Sequence, residues 1–251
     1  MKIDYPAEAQ IPKLRKLWKE AFGDEDAFLD AFFSTAFAPD RCRCVTVDEK
    51  PVAALYWFDC QLEGQPVAYI YAVATAEAHR GRGICRALME NTHSHLAYLG
   101  YAGAVLVPCD PSLFQMYEGL GYRTCCRLSE FSCPAAEEPT ALRKLDVESF
   151  CALRRKYLPA GSVLQEGVNL DFLQTMAKFY AGDGFLLTVA EGENGFFAPE
   201  LLGNVHAAPS ILTAFGEKEG VFRTPGGDKP FAMYRPFGQL PAPRYFGFAF
   251  D

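Results

Sequence analysis

The sequence predicts an α/β (α+β) fold in which helices flank a mixed central sheet, followed by a second, degenerate half of the same kind. Three observations lead to this prediction. Apolar residues first follow the helical spacing and then the alternating spacing of strands, within residues 1–133. A similar succession begins again after residue 145. Only the first half has a basic, glycine-rich loop between an apolar strand and a helix, at residues 79–85.

The first half is predicted to have the element order α-α-β-β-β-α-β-α-β. A first helix covers AEAQIPKLRKLWKEAFG and ends at Gly23, and DEDAFLDAFFSTAF gives a second. Turn signals at DEKP and LEGQP divide residues 41–75 into three strands. After the basic loop a helix runs to Gly100. The apolar AGAVLVPCD predicts a buried strand, PSLFQMYEGLGY a short helix and RTCCRLSEFSC a closing strand.

Residues 134–145, rich in Pro, Ala and Glu, are predicted to link a first domain at 1–133 to a second at 146–251. The second domain again shows two helices followed by strands, the last of them RYFGFAF. Its segment TPGGDKP is predicted to be a hairpin turn, because it lacks the order of a phosphate loop. Residues 37–49 align without a gap with 180–192, which indicates a weak internal repeat.

Composition narrows the class of protein. The 251 residues are 50% hydrophobic and have a net charge of −7, so no basic surface for nucleic acid is indicated. No apolar run reaches the roughly 18 residues of a membrane span, and the N-terminus lacks the apolar core of a signal peptide. We therefore expect a cytoplasmic protein with neither nucleic acid nor membrane as a partner. The oligomeric state stays open, a homo-oligomer included.

The cysteines and histidines do not indicate a metal site. Nine cysteines are scattered without a Cys-x-x-Cys pair, so we expect buried, reduced thiols. Cys42 and Cys44 share one face of a predicted strand but have no evident further ligands. His93 and His95 lie two apart on a predicted helix and face different directions. No metal cofactor is expected.

The loop in AHRGRGICRALME has the chemistry of an anion site. Backbone N–H groups at a helix start have no partner within the helix, and the helix dipole adds positive charge there. Phosphate is the usual anion at such a site. Gly81 and Gly83 let the backbone approach a phosphate, and Arg80 and Arg82 add charge from the flanks. A loop of this composition suits a pyrophosphate, whereas a bare Arg-x-x-Gly is usually only a solvated turn.

With its flanking strand AYIYAVAT, this loop resembles the coenzyme-A signature of the GNAT (GCN5-related) N-acetyltransferase superfamily, Arg/Gln-x-x-Gly-x-Gly/Ala. Arg80, Gly83 and Cys85 hold the three defining places, and Cys85 departs from the small third residue. The element order is also that of a GNAT domain, over about residues 5–133. The degenerate second half resembles the enhanced-intracellular-survival acetyltransferases, which act on amines including aminoglycosides.

The resemblance implies acetyl-CoA as cosubstrate and assigns the site residues. It implies that backbone groups of Val73, Ala74 and Thr75 bind the pantetheine arm. The residues that it places at the pyrophosphate are Arg80, Gly81, Arg82, Gly83, Ile84, Cys85 and Arg86. Glu77 stands where many members have proline. A helix N-terminus can lower the pKa of a thiol, but a catalytic Cys85 is not expected.

FQMYEGLGY is similar to the family's second signature, Tyr-x-x-x-Gly-Phe/Tyr. The resemblance therefore implies that Tyr117 is catalytic and protonates the departing thiolate of coenzyme A. A phenol can do this because its pKa is comparable to that of a thiol; core packing is the other interpretation of Tyr117. The base that takes the proton of the amine is not identified. Candidates by position are Asp59, Glu63, Glu118 and the carboxylate of Asp251.

Three functions are compatible with these features. The first is an acetyl-CoA-dependent N-acetyltransferase acting on a primary amine of a small molecule or peptide, by direct attack in a ternary complex. The second is a pseudoenzyme or sensor that binds acetyl-CoA without turnover. The third is a pure interaction module, which would not need the loop. The acceptor amine cannot be identified from the sequence.

Overall fold

The computed structural model describes residues 1–190 and 195–249, which form two compact units. The first unit comprises Met1–Leu106, Asp110–Arg123 and Met233–Ala242. The second comprises Val107–Cys109, Thr124–Ala232 and the described part of Pro243–Asp251. Each unit thus takes one segment from the other half of the sequence. The predicted domain bounds, 1–133 and 146–251, stay a prediction beside this division.

In chain order, the strands are β1 (Lys2–Asp4), β2 (Cys42–Val47), β3 (Lys50–Leu62), β4 (Gln65–Thr75), β5 (Gly103–Leu106), β6 (Arg123–Pro134), β7 (Arg143–Leu145), β8 (Leu164–Gln165), β9 (Ala177–Gly182), β10 (Phe185–Ala190), β11 (Phe196–Ala198), β12 (Glu200–Gly203), β13 (Glu219–Pro225) and β14 (Lys229–Pro236). The helices are α1 (Ile11–Phe22), α2 (Asp26–Thr35), α3 (Ile84–Tyr98), α4 (Leu113–Glu118), α5 (Val147–Tyr157), α6 (Val168–Leu173) and α7 (Ala208–Phe215). Short 3-10 turns lie at Glu8–Gln10, Pro39–Arg41, Glu77–His79 and Val205–Ala207.

The first unit has a mixed sheet in the order β1-β2-β3-β4-β5-β14. Only the β4–β5 pair is parallel, and the other pairs are antiparallel. The last strand comes from far along the chain, with Met233 opposite Leu106 and Pro236 opposite Gly103. It fits there because Gly103 has no side chain, and a Cβ at that position would lie 2.3 Å from the Tyr234 hydroxyl.

Helices of the first unit bury apolar faces against this sheet. α1 buries Leu14, Leu17 and Trp18 and ends at Gly23, whose φ of +76° is the left-handed conformation common after a helix. α3 belongs to a core cluster with strands β2 to β5 and Met233 of β14. Trp18 packs among aromatic rings of α2, β3 and β4, including Phe32, Tyr56 and Tyr71. The site described below is therefore built on well-packed elements.

The second unit repeats the succession of elements. After α5 and α6, strands β9 and β10 pair antiparallel, and β12 continues that sheet in the order β12-β10-β9-β7. α7 then connects β12 to β13, and β13 pairs parallel with β11, as β5 pairs with β4 in the first unit. β13 also pairs antiparallel with β6. A degenerate second half of the same fold is thereby confirmed.

Much of the predicted element order is confirmed, and several details are corrected. Strand β1 was not predicted, and β7 lies inside the predicted linker. Residues 244–249 of RYFGFAF do not form a regular strand: Tyr245 makes one isolated bridge with Ser162, and Phe248 has a φ of +49°. Within TPGGDKP, residues 226–228 connect β13 to β14, but they do not form a hairpin turn, because β6 lies between these strands in the sheet order.

The internal repeat is correct in topology but not in register. The gap-free alignment of 37–49 with 180–192 places β2 over β10, whereas the order of elements makes β9 the counterpart of β2. Strands β9 and β10 are both largely apolar, so an alignment by sequence alone distinguishes poorly between them as the counterpart of β2. The end of the second segment, 191–192, lies outside the described residues.

All nine cysteines are free thiols, but not all are buried. Cys109 is exposed, and Cys85, Cys125, Cys133 and Cys151 are only partly covered. The expectation of uniformly buried thiols is therefore wrong. Within residues 1–190 and 195–249, no group of three or more His, Cys, Asp or Glu could hold a metal ion. No helix in the same ranges is long and apolar enough to cross a membrane.

Candidate active site

The site begins where β4 parts from β5. Their parallel pairing covers Val67–Tyr69 opposite Gly103–Val105 and goes no further, although β4 continues to Thr75. Just beyond it, Ala72 has a φ of +48°, and the register of β4 against β3 shifts between the pairs at Tyr71 and Ala74. Such a bulge bends a strand and redirects its backbone groups. The edge of Val73–Thr75 that faces away from β3 is therefore free of the parallel ladder.

The basic loop follows directly and leads into α3. Gly81 and Gly83 have φ values of +72° and +73°, and a Cβ at either would have nothing within 4 Å. Glycine is thus required by the backbone conformation, and the space outside it is open. No side chain caps the start of α3, and the first helical bond runs from the Ala87 amide to the Gly83 carbonyl. The amides of Ile84–Arg86 precede that bond and have no helical acceptor.

The arginines of the loop differ in their surroundings. Arg80 Nε donates to the Thr75 carbonyl at 3.0 Å, which fixes the start of the loop to the end of β4. Arg86 reaches Glu90 at 3.3 Å and the Gly119 carbonyl at 3.2 Å, so its side chain links α3 to the end of α4. Arg82 is exposed. The guanidinium groups of Arg80 and Arg82 therefore lie at the loop, whereas that of Arg86 lies between α3 and α4.

Two buried polar atoms beside the loop lack a hydrogen-bond partner among the described residues. They are Thr75 Oγ1 and His79 Nδ1. A buried polar atom without a partner costs free energy, and such atoms in native proteins often face a missing ligand or water. Nearby, the Glu77 amide donates to Glu20 Oε1 at 2.8 Å. A proline, usual in the family at this place, could not make that bond, so Glu77 here has a structural role.

Cys85 is the departure from the family signature, and it has no features of a nucleophile. Burial raises the pKa of its thiol, and neighbouring Arg86 lowers it less. The thiol packs against the core cluster of the unit. Since the thiolate is the reactive form, Cys85 stays protonated and inert near neutral pH. This agrees with the expectation that it is not catalytic.

Tyr117 lies close to the start of α3. It is 7% exposed and belongs to the same core cluster as Ile84, and its ring meets that of Tyr122 edge-on at 5.8 Å. The Arg86 contact with Gly119 holds the end of its helix against α3. The structure thus brings Tyr117 and the loop together in one unit. The burial of Tyr117 is compatible both with a proton donor shielded from water and with a residue that only packs in the hydrophobic core.

The four candidates for the base differ in their position and in their contacts. Asp59 accepts from Arg41 Nε at 2.8 Å and also from the Tyr101 hydroxyl, so its carboxylate is engaged. Desolvation, followed by this bond to Asp59, raises the pKa of Tyr101 to about 12. Glu63 is at the tip of the β3–β4 hairpin, the end of β4 remote from the loop. Glu118 is exposed beside Tyr117, and Asp251 lies outside the described residues.

Sequence reasoning missed the support behind Tyr117. The sequence does not predict a role for His93, which is buried and contacts the turn that follows α4. Its Nε2 lies 2.8 Å from the Tyr122 hydroxyl, and its Nδ1 lies 2.9 Å from Arg235. Burial, and then the charge of Arg235, lower the pKa of His93 to about 3. No local signal could have linked residue 93 to residue 235.

These features together fit the phosphate and pantetheine parts of coenzyme A. The uncapped amides of Ile84–Arg86, the open space at Gly81 and Gly83 and the two cationic side chains suit a pyrophosphate. Beyond the parallel ladder, Val73 and Ala74 offer backbone groups to an amide-containing arm, whereas the Thr75 carbonyl accepts from Arg80. The orphaned Thr75 Oγ1 adds one further donor or acceptor.

Comparison with known proteins agrees with this geometry. Residues 2–125 match the model of the family described as "Acetyltransferase (GNAT) domain". None of the curated proteins matches the sequence. Among solved structures, a GCN5-related N-acetyltransferase from Kribbella flavida is similar at a TM-score of 0.73 and 17% identity, covering 94% of this chain and 70% of that one.

Two further structures are similar at the level of the fold. A GCN5-related N-acetyltransferase from Anabaena variabilis gives a TM-score of 0.72 at 17% identity, covering 94% of this chain and 72% of that chain. Eis1 from Mycobacterium abscessus gives 0.67 at 13% identity, with coverages of 94% and 74%. The GNAT fold extends over nearly the whole chain, and residues 2–125 belong to the family of GNAT acetyltransferase domains.

Proposed function

We propose that the protein is an N-acetyltransferase that moves an acetyl group from acetyl-CoA to a primary amine of a small molecule or peptide. The amine attacks directly, within a ternary complex. The observation that carries the proposal is the start of α3. Two left-handed glycines, open space and an uncapped helix start follow a strand that has left its parallel partner. This combination suits a ligand with a pyrophosphate on an extended arm.

In this proposal, different residues bind the pyrophosphate, orient the pantetheine arm and donate a proton. Backbone amides of Gly81–Arg86 would hold the pyrophosphate, with Arg80 and Arg82 beside it. Backbone groups of Val73–Thr75 would orient the pantetheine arm. Bound acetyl-CoA supplies the thioester carbonyl that the amine attacks. The new C–N bond forms as the C–S bond breaks, and Tyr117 gives its proton to the thiolate.

The amine must lose a proton to a base or to water. Because Asp59 is engaged by Arg41 and Tyr101, and Glu63 lies at the hairpin tip, a water-mediated route beside Glu118 is the better candidate among the described residues. The part proposed for the Asp251 carboxylate stays a prediction. So do the cytoplasmic location and the exclusion of nucleic acid and membrane as partners.

The loop can be tested by placing a negative charge in it. Gly83→Asp should weaken acetyl-CoA binding by about 100-fold or more, because a carboxylate would occupy the open space next to the phosphates. Aspartate tolerates the left-handed conformation better than most residues, so the chain should still fold. Isothermal titration calorimetry measures binding, and circular dichroism checks the fold.

Gly64→Asp is the matched control. Gly64 has a φ of +77° and nothing within 4 Å of its Cβ position, but it lies at the β3–β4 hairpin tip. The same substitution in the same backbone conformation should leave acetyl-CoA binding unchanged there. Equal binding by the Gly83→Asp variant and the wild type would contradict the proposed coenzyme site.

Turnover is measured as release of free thiol from acetyl-CoA, with polyamines, aminoglycosides and peptide N-termini as acceptors. Acceptor-dependent release is the expected result. The engaged state of Asp59 favours one alternative, a sensor that binds acetyl-CoA without turnover, because Arg41 and Tyr101 already occupy that carboxylate. Tight binding with no release for any acceptor class would support the sensor.

A further inference from the structure

The most distant part of the first unit in sequence is the segment Met233–Ala242, and it carries a partly buried charged side chain, that of Arg235. Arg235 of β14 lies opposite Ala104 of β5. The adjacent Phe237 is bonded through its amide to the Ala102 carbonyl at 2.9 Å, and its ring lies 5.8 Å from that of His93. Arg235 is therefore held at a fixed place against α3 and the turn after α4.

The guanidinium of Arg235 contacts that turn directly. Its Nη1 donates to the Leu120 carbonyl at 2.5 Å and lies 2.9 Å from His93 Nδ1. It also covers Gly121, where a Cβ would lie 3.6 Å from the guanidinium carbon. Gly121 has a φ of +88°, so the turn needs glycine for its conformation, and Arg235 covers the face that glycine leaves bare.

These contacts decide the tautomer of His93. A guanidinium has only donors, so Nδ1 of His93 must accept and the ring proton must be on Nε2. Nε2–H then donates to the Tyr122 hydroxyl oxygen at 2.8 Å. Because His93 and Tyr122 are 2% and 0% exposed, water cannot substitute for either contact at low cost. Arg235 thus fixes Leu120 directly and Tyr122 through His93.

Both residues bond in turn to the backbone of Tyr117. The amides of Leu120 and Tyr122 donate to the Tyr117 carbonyl at 2.9 Å and 3.1 Å, and the Tyr122 ring packs edge-on against that of Tyr117. We propose that Arg235 is a positioning residue for Tyr117, acting through the Leu120–Tyr122 turn. The inference rests on the proposed function, in which Tyr117 protonates the thiolate. It gives a segment more than 100 residues downstream a part in the reaction of the first unit.

The test compares Arg235→Met and Arg235→Lys with Arg123→Met. Arg123 donates to the Tyr122 carbonyl at 2.8 Å from the exposed side of the same turn, so its variant controls for loss of an arginine there. Acetyl-CoA affinity is measured by calorimetry, thiol release by steady-state kinetics, and amide exchange of residues 117–122 by mass spectrometry.

For Arg235→Met we expect faster amide exchange in the turn and a kcat lower by about tenfold or more, since small misplacements of a catalytic group cost one to two orders of magnitude. The acetyl-CoA Kd should stay within about twofold, because the hydrogen bonds of Arg235 go to His93 and Leu120 and not to the residues proposed to bind the coenzyme. Arg235→Lys should recover part of kcat, as one ammonium can reach one of the two acceptors. Arg123→Met should resemble the wild type.

The outcomes separate the two proposals. Unchanged exchange in the turn, or unchanged kcat despite faster exchange, would overturn the positioning role. A fall in kcat accompanied by an equal loss of acetyl-CoA affinity would also overturn it, because that pattern indicates general loss of structure. If the wild type binds no acetyl-CoA, the proposed function itself fails, and the catalytic part of the inference fails with it.

Discussion

The two units share a succession of elements but differ where a helix follows the β-sheet. In the first unit, α3 has 15 residues and begins after two exposed, left-handed glycines without a side-chain cap. In the second, α7 has 8 residues, begins at the fully buried Ala208 and has Pro209 in its first turn. Proline offers no N–H, and a buried start leaves no space for a phosphate. The same topology therefore gives an anion site in one unit and closed packing in the other.

The interiors of the units differ in a second way. The first unit buries a neutral histidine between Tyr122 and Arg235. The second buries an ion pair, in which Arg154 donates to Glu200 at 2.7 Å and 2.9 Å while both are 1% exposed. Tyr245 donates to the same carboxylate at 2.9 Å. This pair holds β12 and the segment after residue 243 to α5. Removing one partner would therefore leave an uncompensated charge inside the second unit.

The largest effect is expected from breaking that ion pair. Glu200→Gln leaves the charge of Arg154 in the interior without its counter-charge, which typically costs about 3–5 kcal/mol of unfolding free energy. Urea unfolding followed by circular dichroism measures the loss.

The control is Glu130→Gln in the same unit. Glu130 pairs with Lys229 at 2.6 Å and with Arg223 at 2.8 Å, but its side chain is 32% exposed, so the expected cost is smaller, about 1 kcal/mol. Similar losses in the two variants would show that the buried pair is not what holds the second unit.

Sequence patterns predicted the helices and strands well where the chemistry is local. α1 ends at Gly23, and the three strands between residues 41 and 75 follow the turn signals, because turn residues and apolar period act within a few positions. The loop at 79–85 was found for the same reason. RYFGFAF, in contrast, has the pattern of a strand, but its residues 244–249 form an irregular segment that is bonded to Glu200 and Gln165, far away in sequence.

The candidate site was predictable in its backbone and not in its support. Val73–Thr75, Gly81 and Gly83 were recognised from their order along the chain. The bulge at Ala72, the Glu20 contact with Glu77 and the Arg235 contact with Leu120 all depend on residues that only the fold brings together. The contribution of Met233–Ala242 to the first unit was not predictable for the same reason, because no local feature of β14 indicates that it pairs with β5.

Acid should weaken the first unit through His93. Its pKa is about 3 in the folded chain and 6.5 ordinarily, so the unfolded chain binds the proton first as the pH falls. Unfolding free energy is therefore lost progressively from about pH 6.5 down to about pH 3, at up to about 1.4 kcal/mol per pH unit. His93→Gln removes this titration. As the pH falls, the wild type should therefore lose more unfolding free energy than the variant does. Urea unfolding at several pH values measures this difference. A constant difference between pH 7 and pH 4 would contradict the buried neutral state.

The smallest effect is expected from replacing one left-handed glycine in each unit by alanine. The comparison separates backbone strain from ligand binding. Gly81 precedes α3 and Gly216 ends α7; their φ values are +72° and +75°, and both Cβ positions are open. Alanine in the left-handed conformation costs about 1–2 kcal/mol, so Gly81→Ala and Gly216→Ala should destabilise the chain by similar amounts in thermal or urea unfolding. Only Gly81→Ala should weaken acetyl-CoA binding in calorimetry, by about tenfold, because a methyl group there keeps a phosphate from the backbone. If both variants weaken binding equally, the loss comes from strain transmitted through the whole chain. If neither does, the open space at Gly81 is not where the phosphate approaches, and Gly83 alone would carry the difference between α3 and α7.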